Sequence, residues 1–85
     1  MIGVKIGYYR KEDWQRFTEM IDDRESMHDT WEDWHKSFLK AKNDLTSQGF
    51  EVMKVEIDLD ELRHYCAMRG IKNDGGARAQ FIQKI

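Results

Sequence analysis

Cys66 is the single cysteine of this 85-residue chain, and His64 lies two positions before it. Catalysis by a thiol requires a base within hydrogen-bond reach, because the reactive form is the thiolate. Both residues fall in a predicted helix, where side chains two positions apart point about 200° apart, so His64 cannot activate Cys66. Since Cys66 shares a helical stripe with Leu59 and Leu62, we interpret it as a buried structural thiol. The sequence therefore predicts no catalytic residue.

A second group of residues has the types that bind metal ions. His28, Glu32 and His35 are spaced by four and three positions, and the spacing of Glu32 and His35 is that of carboxylate–histidine pairs in helical bundles. A closed metal site needs about four ligands, however, and Glu32 belongs to a polar helix face. His28 is also predicted to precede the helix. We therefore predict neither a metal site nor a cofactor.

The third candidate is an anion or partner site at the start of the last predicted helix. Glycines there would present free backbone N–H groups beside basic side chains, which is an arrangement that binds anions. The candidate residues are Arg69, Lys72, Gly75, Gly76 and Arg78. Asp74 opposes this interpretation, because as the N-cap it would place a carboxylate where the anion should lie. The alternative is a well-capped helix in which Arg78 pairs with one of the many acidic residues.

Charge is distributed unevenly along the chain, although the formal net charge is only −2. Residues 1–62 contain nine Lys or Arg and fifteen Asp or Glu, a net charge of −6, whereas residues 63–85 contain five and one, a net charge of +4. This basic C-terminal segment could bind an acidic partner, or simply reflect the preference of helix C-termini for cations. Nucleic acid is the least favoured partner, because the sequence pI of 5.9 is far below that of typical nucleic-acid binders.

The stretch of residues 30–49 predicts the amphipathic helix around which the rest is organised. Its apolar residues recur at steps of three and four, as a buried helical stripe requires: Trp31, Trp34, Phe38, Ala41 and Leu45. Asp29 or Thr30 can cap its first turn, and Gly49 can end it in the left-handed conformation. Exposed tryptophans could instead stack on nucleic-acid bases, but the stripe favours a place in the core.

Periodicity also predicts the other elements. Apolar residues alternate with period two in residues 2–8 and 50–57, which predicts two strands with one apolar face each. Helical spacing predicts further helices in residues 10–24, 58–70 and 77–85. The predicted order is therefore strand, helix, helix, strand, helix, helix.

This order predicts a helix-dominated, two-layer α/β fold with a small two-stranded sheet, and residues 1–85 as a single domain. The sequence leaves the direction of strand pairing open, although a long helical connection permits a parallel pair with both connecting helices on the apolar face. The opposite face, which contains Gly3 and Gly7, is predicted to be bare or open to the close approach of another backbone or a ligand. We expect any homodimer contact on that face or at the strand edges.

The sequence also favours a cytoplasmic location. A single cysteine rules out an internal disulfide framework, and no run of about 18 apolar residues could span a bilayer. Lys5, Arg10 and Lys11 interrupt any apolar segment near the start, so we expect no signal peptide. Membrane is therefore not a predicted partner.

Four segments read together resemble a family of small bacterial proteins of unknown function: TWEDW, VMKVEIDLDEL, YCAMRGI and GGARAQF. The resemblance covers residues 14–81 and is most recognisable around Trp31 and Arg78. It implies one intact α/β domain. It implies no catalytic residues.

Three functions from different classes follow from these residues. The leading hypothesis is a small protein-interaction module that binds another protein or a second copy of itself. The first alternative is a small enzyme or enzyme subunit that binds an anionic ligand near Arg78, in a pocket by the third and fourth helices. The second is a weak nucleic-acid binder through the basic C-terminal segment. A pocket with converging polar groups would favour the enzyme, whereas an exposed apolar patch would favour the module.

Overall fold

Two parallel strands and four α-helices make up residues 2–85, the part of the chain that the computed structural model describes. In chain order they are β1 (Gly3–Tyr8), α1 (Trp14–Met20), α2 (Trp31–Ser47), β2 (Glu51–Glu56), α3 (Leu59–Arg69) and α4 (Gly75–Lys84). Short 3-10 helices flank α1 at Lys11–Asp13 and Arg24–Ser26. The predicted order of elements and the helix-dominated α/β class are both confirmed. No helix among these residues is both long enough and apolar enough to cross a membrane.

Helix α2 begins and ends where the sequence predicts. The Thr30 hydroxyl accepts a hydrogen bond from the Asp33 backbone N–H at 3.1 Å, and Gly49 follows the helix with a φ of +91°. Burial varies along the predicted stripe, however: only Trp34 and Phe38 are buried, Trp31 and Leu45 are half-buried, and Ala41 is exposed. A helix of 17 residues is about 26 Å long, whereas a six-residue strand covers about 20 Å, so the end of α2 extends past the sheet.

Helix α1 is shorter than the prediction for residues 10–24. Ile21 leaves the helix with an extended backbone (φ −83°, ψ 151°), yet it remains buried in the core. The backbone N–H of Asp22 then donates to the Asn73 carbonyl oxygen at 2.9 Å. A longer helix would carry this segment away from the chain before α4, so the long-range contact ends it.

The register of the sheet places the apolar residues of the two strands on opposite faces. β1 and β2 are parallel, with Ile6 beside Lys54 and Gly7 beside Val55. Paired residues in a sheet project from the same face. The apolar side of β1 therefore faces one layer of helices and the apolar side of β2 faces the other, and our expectation of one apolar and one bare face is wrong.

Helices accordingly pack on both faces of the sheet. On the Ile6 face, the ring of Tyr8 lies 5.7 Å from that of Trp34 and 5.2 Å from that of Phe38 in α2. On the Gly7 face, α4 comes so close that a Cβ added to Gly7 would lie 2.6 Å from Ile82 Cδ1. The surface on which we expected a second copy is therefore covered at Gly7 by α4.

Gly7→Ala is expected to lower the free energy of unfolding by about 0.5–1.5 kcal/mol, because the new methyl group forces the end of the half-buried Ile82 side chain out of its position. Ile82→Val removes the clashing Cδ1 atom, so the double variant should lose less than the sum of the two single variants. Urea denaturation measures all three. Gly75→Ala is the control, since no atom lies within 4 Å of a Cβ placed there. A Gly7→Ala change that costs as much stability in the Ile82→Val background as in the parent would contradict a contact between Gly7 and Ile82 Cδ1.

Candidate functional site

Arg78 is buried at the start of α4 and faces a carboxylate of the same chain. Its guanidinium donates two hydrogen bonds to Asp23, from Nη1 to Oδ1 at 2.9 Å and from Nη2 to Oδ2 at 2.8 Å. Nη1 also donates to the Asn73 carbonyl oxygen at 3.0 Å. Two-pronged pairs of this kind are among the stronger polar contacts in proteins. The guanidinium that we considered for an external anion therefore holds an internal one.

Two carboxylates of the chain also accept hydrogen bonds from backbone N–H groups at the N-terminus of α4. Gly75 N donates to Asp23 Oδ2 at 3.1 Å, and Ala77 N donates to Asp74 Oδ1 at 2.9 Å. The hydrogen bonds from Arg78 hold the pKa of Asp23 below its ordinary value. Asp23 thus lies, ionised, where a bound phosphate would contact the helix.

This network joins the segment after α1 to the segment before α4. Asp22 Oδ2 accepts a hydrogen bond from Asn73 N at 2.7 Å, and Asn73 is itself buried. Tyr9 packs nearby, and burial raises its pKa to about 12, although the Arg78 guanidinium partly offsets this effect. The buried polar groups of this network therefore form hydrogen bonds with one another, as polar groups in stable protein interiors usually do.

The structure brings together only part of the five predicted anion-site residues. Gly75, Gly76 and Arg78 lie at the same helix terminus, and Lys72 is an exposed residue of the preceding turn. Arg69 belongs to another surface, where its guanidinium carbon lies 3.9 Å from the centre of the Tyr65 ring. A role of these residues in binding an external anion or partner stays a prediction.

The three residues considered for a metal site have separate partners. His28 Nε2 lies 3.1 Å from Ser37 Oγ, and the Glu32 carboxylate pairs with Lys11 at 2.9 Å. The ring of His35 stacks on Trp31 with 4.5 Å between centroids. Within residues 2–85, no cluster of three or more His, Cys, Asp or Glu side chains could hold a metal ion.

Cys66 and His64 lie on different sides of α3. Cys66 is buried in the core, where desolvation raises the pKa of its thiol, whereas His64 is exposed. The prediction of a buried thiol is confirmed. A higher pKa reduces the thiolate fraction at neutral pH, so nucleophilic chemistry is disfavoured.

A cavity of about 590 Å³ lies between α3 and α4. The residues of α3 that line it are spaced by one, three and four positions, which places them on one helix face: Asp60, Glu61, His64, Tyr65, Met68 and Arg69. Phe81 of α4 completes the lining, and we call this surface the α3–α4 groove. Tyr65 and Phe81 are buried and in edge contact, with 5.4 Å between their ring centroids.

Comparison of the chain with protein-family models, curated proteins and solved structures gives no match. The resemblance to small bacterial proteins of unknown function therefore stays a prediction. The function proposed below is therefore supported by the geometry of the chain alone.

The α3–α4 groove is apolar at its centre and charged at its ends. Met68 is 70% exposed and lines the groove together with the buried Tyr65 ring, on which the Arg69 guanidinium stacks. Glu61 lies at the N-terminal end of the helix face and Arg69 at the C-terminal end. The sequence predicts a pocket by the third and fourth helices, but of the residues that line this groove it names only Arg69 as a candidate site residue. The signal for the groove was Met68, an apolar residue outside the buried stripe that contains Tyr65 and Cys66, because a helix with an apolar residue outside its core stripe can contact another partner.

Proposed function

We propose that this chain is a small cytoplasmic protein-interaction module whose contact surface is the α3–α4 groove. The observation that carries the proposal is the exposure of Met68, at 70%, in a groove that it lines together with the buried rings of Tyr65 and Phe81. Methionine side chains are flexible and polarizable, and they recur at surfaces that bind other proteins. A groove along a helix also fits a partner helix with apolar residues at helical spacing.

The distribution of polar groups supports a module rather than an enzyme. Active-site pockets bring a few polar groups together around the reacting atoms, often with shifted pKa values. In the α3–α4 groove, Glu61 and Arg69 instead lie at opposite ends of an apolar centre. An external anion at Arg78 would have to displace Asp23 from its two hydrogen bonds.

The basic C-terminal segment supports nucleic-acid binding less well than its charge alone indicates. Arg78 is buried against Asp23, and Arg69 lies over the Tyr65 ring. A nucleic-acid interface needs several exposed cations that can reach phosphates together.

A cytoplasmic location is supported by the single cysteine, which is free, because cytosolic thiols are kept reduced.

Photo-cross-linking tests the proposal directly. We expect p-benzoylphenylalanine at position 68 to form covalent adducts with a protein when the variant is expressed in its native cells and irradiated. The same substitution at Lys42, an exposed residue of α2, is the control and should give no comparable adduct. Equal cross-linking at the two positions, or none at either, would contradict a protein-binding role for the α3–α4 groove.

A further inference from the structure

We infer that the α3–α4 groove binds a second copy of the same chain, with the two α3 helices packed antiparallel around a two-fold axis. This inference rests on the proposed function and names the partner. One face of α3 has charged residues at both ends, and some of them already form ion pairs within the chain.

Glu61 and Arg69 are the two charged residues of this face without an ion pair in the described part of the chain, although the Arg69 guanidinium stacks on the Tyr65 ring, 3.9 Å from its centre. They are eight positions apart, which corresponds to about 12 Å along a helix, and neither forms an ion pair among residues 2–85. Asp60, next to Glu61, already pairs with Arg16 and lies 3.8 Å from Arg63. The open face of α3 therefore has an unpaired acid near its N-terminal end and, near its C-terminal end, a base that must leave the Tyr65 ring to pair with an acid of another copy.

A two-fold axis passing near Tyr65, the midpoint between Glu61 and Arg69, makes this pattern complementary to itself. The second helix runs in the opposite direction, so that Glu61 of each copy faces Arg69 of the other. A two-fold interface always repeats each contact in this way. The same arrangement places the exposed Met68 side chains over the apolar centre of the neighbouring copy and sets the helix dipoles antiparallel.

The size of the surface indicates a weak dimer. Helix α3 has 11 residues, or about 16 Å of axis, so a contact centred on it lies at the small end of specific interfaces. Ion pairs at the rim of an interface contribute modestly. Their main effect is on the choice and orientation of the partner.

Sedimentation equilibrium of the purified chain tests the inference. At concentrations up to about 1 mM, we expect the average mass to rise from that of one chain, 10.2 kDa, toward twice that value. In the Glu61→Arg variant, the new arginine of each copy faces Arg69 of the other copy, so both contacts become repulsive. In the Arg69→Glu variant, the new glutamate of each copy faces Glu61 of the other copy, with the same result. Each single variant is expected to weaken the dimer roughly tenfold or more. The Glu61→Arg/Arg69→Glu double variant restores opposite charges and should recover dimerisation.

Two variants on α2 provide matched controls. Asp44→Arg makes the same change in charge as Glu61→Arg, and Lys42→Glu the same change as Arg69→Glu, and both positions are exposed. Circular dichroism of every variant separates loss of dimer from loss of fold. We expect the controls to dimerise like the parent. Control variants that dissociate as strongly as the groove variants would overturn the specific pairing in favour of a general effect of net charge.

The remaining outcomes separate this inference from the proposed function. A parent chain that stays monomeric throughout, or a double variant that fails to recover dimerisation, would overturn the antiparallel pairing. If the cross-link at position 68 then captures a different protein, the interaction module stands and only its partner changes. If neither experiment gives a contact at this face, both proposals fail.

Discussion

Arg78→Ala is expected to lower the free energy of unfolding by about 2–4 kcal/mol, because two charge-assisted hydrogen bonds and the packing of a buried guanidinium are lost. The Arg78 side chain is 8% exposed and that of Asp23 is 17% exposed, so water partly solvates the Asp23 carboxylate in the variant, and the loss is smaller than for a fully buried pair. The guanidinium carbon also lies 5.6 Å from the centre of the Phe17 ring, and that contact is lost as well. Urea denaturation followed by tryptophan fluorescence measures the change.

Two further variants separate the ion pair from general damage to the core. Asp23→Ala combined with Arg78→Ala should destabilise less than the sum of the single variants, because the double variant leaves no unpaired charge. Arg63→Ala removes an arginine that is 72% exposed and should change stability by no more than about 0.5 kcal/mol. If Arg78→Ala lowered the free energy of unfolding as little as Arg63→Ala, the ion pair between Arg78 and Asp23 would not be an important contribution to stability.

Phe17→Ala is expected to destabilise the fold by a similar amount, about 3–5 kcal/mol, because it creates a cavity in the core. Phe17 is 0% exposed, and its ring stacks on Tyr9 with 4.0 Å between centroids. For a domain of this size, each kcal/mol corresponds to about 4–8 °C in Tm. Thermal unfolding followed by circular dichroism should therefore show a fall of more than about 12 °C.

Phe17→Leu is the graded control for this prediction. It keeps a large apolar side chain and should lose markedly less stability than the alanine variant. Leu39→Ala removes an apolar residue of α2 that is 44% exposed and should have little effect. A Phe17→Ala variant with nearly the parent Tm would mean that the core collapses around the cavity, which would contradict rigid packing between Tyr9 and Trp14.

Local sequence signals were sufficient to predict most of the helices and strands. The caps of α2 depend on Thr30 and Gly49, which lie within three residues of the positions they satisfy, and the caps of α3 depend in the same way on Asp58 and Gly70. Such contacts can be identified from spacing alone. The helix-dominated α/β class followed from them without knowledge of the packing.

Contacts between residues that are far apart in the chain could not be predicted from the sequence in the same way. The register of β1 and β2 decides which side of each strand shares a face, and alternation within one strand cannot fix it. Arg78 pairs with Asp23, 55 positions away, and the sequence offers sixteen acids with no local signal for choosing among them. A pocket by the third and fourth helices was predicted, but the residues that line it depend on how α3 packs against α4 and could not be chosen from the sequence.

The parallel pairing of the strands also affects how the chain can be synthesised. Gly3 pairs with Glu51, so β1 leaves the ribosome well before its hydrogen-bonding neighbour. At about 5–20 residues per second, the delay is roughly 2–10 seconds. During that interval the backbone groups of β1 have no neighbouring strand to pair with, so the sheet can form only after β2 has been synthesised.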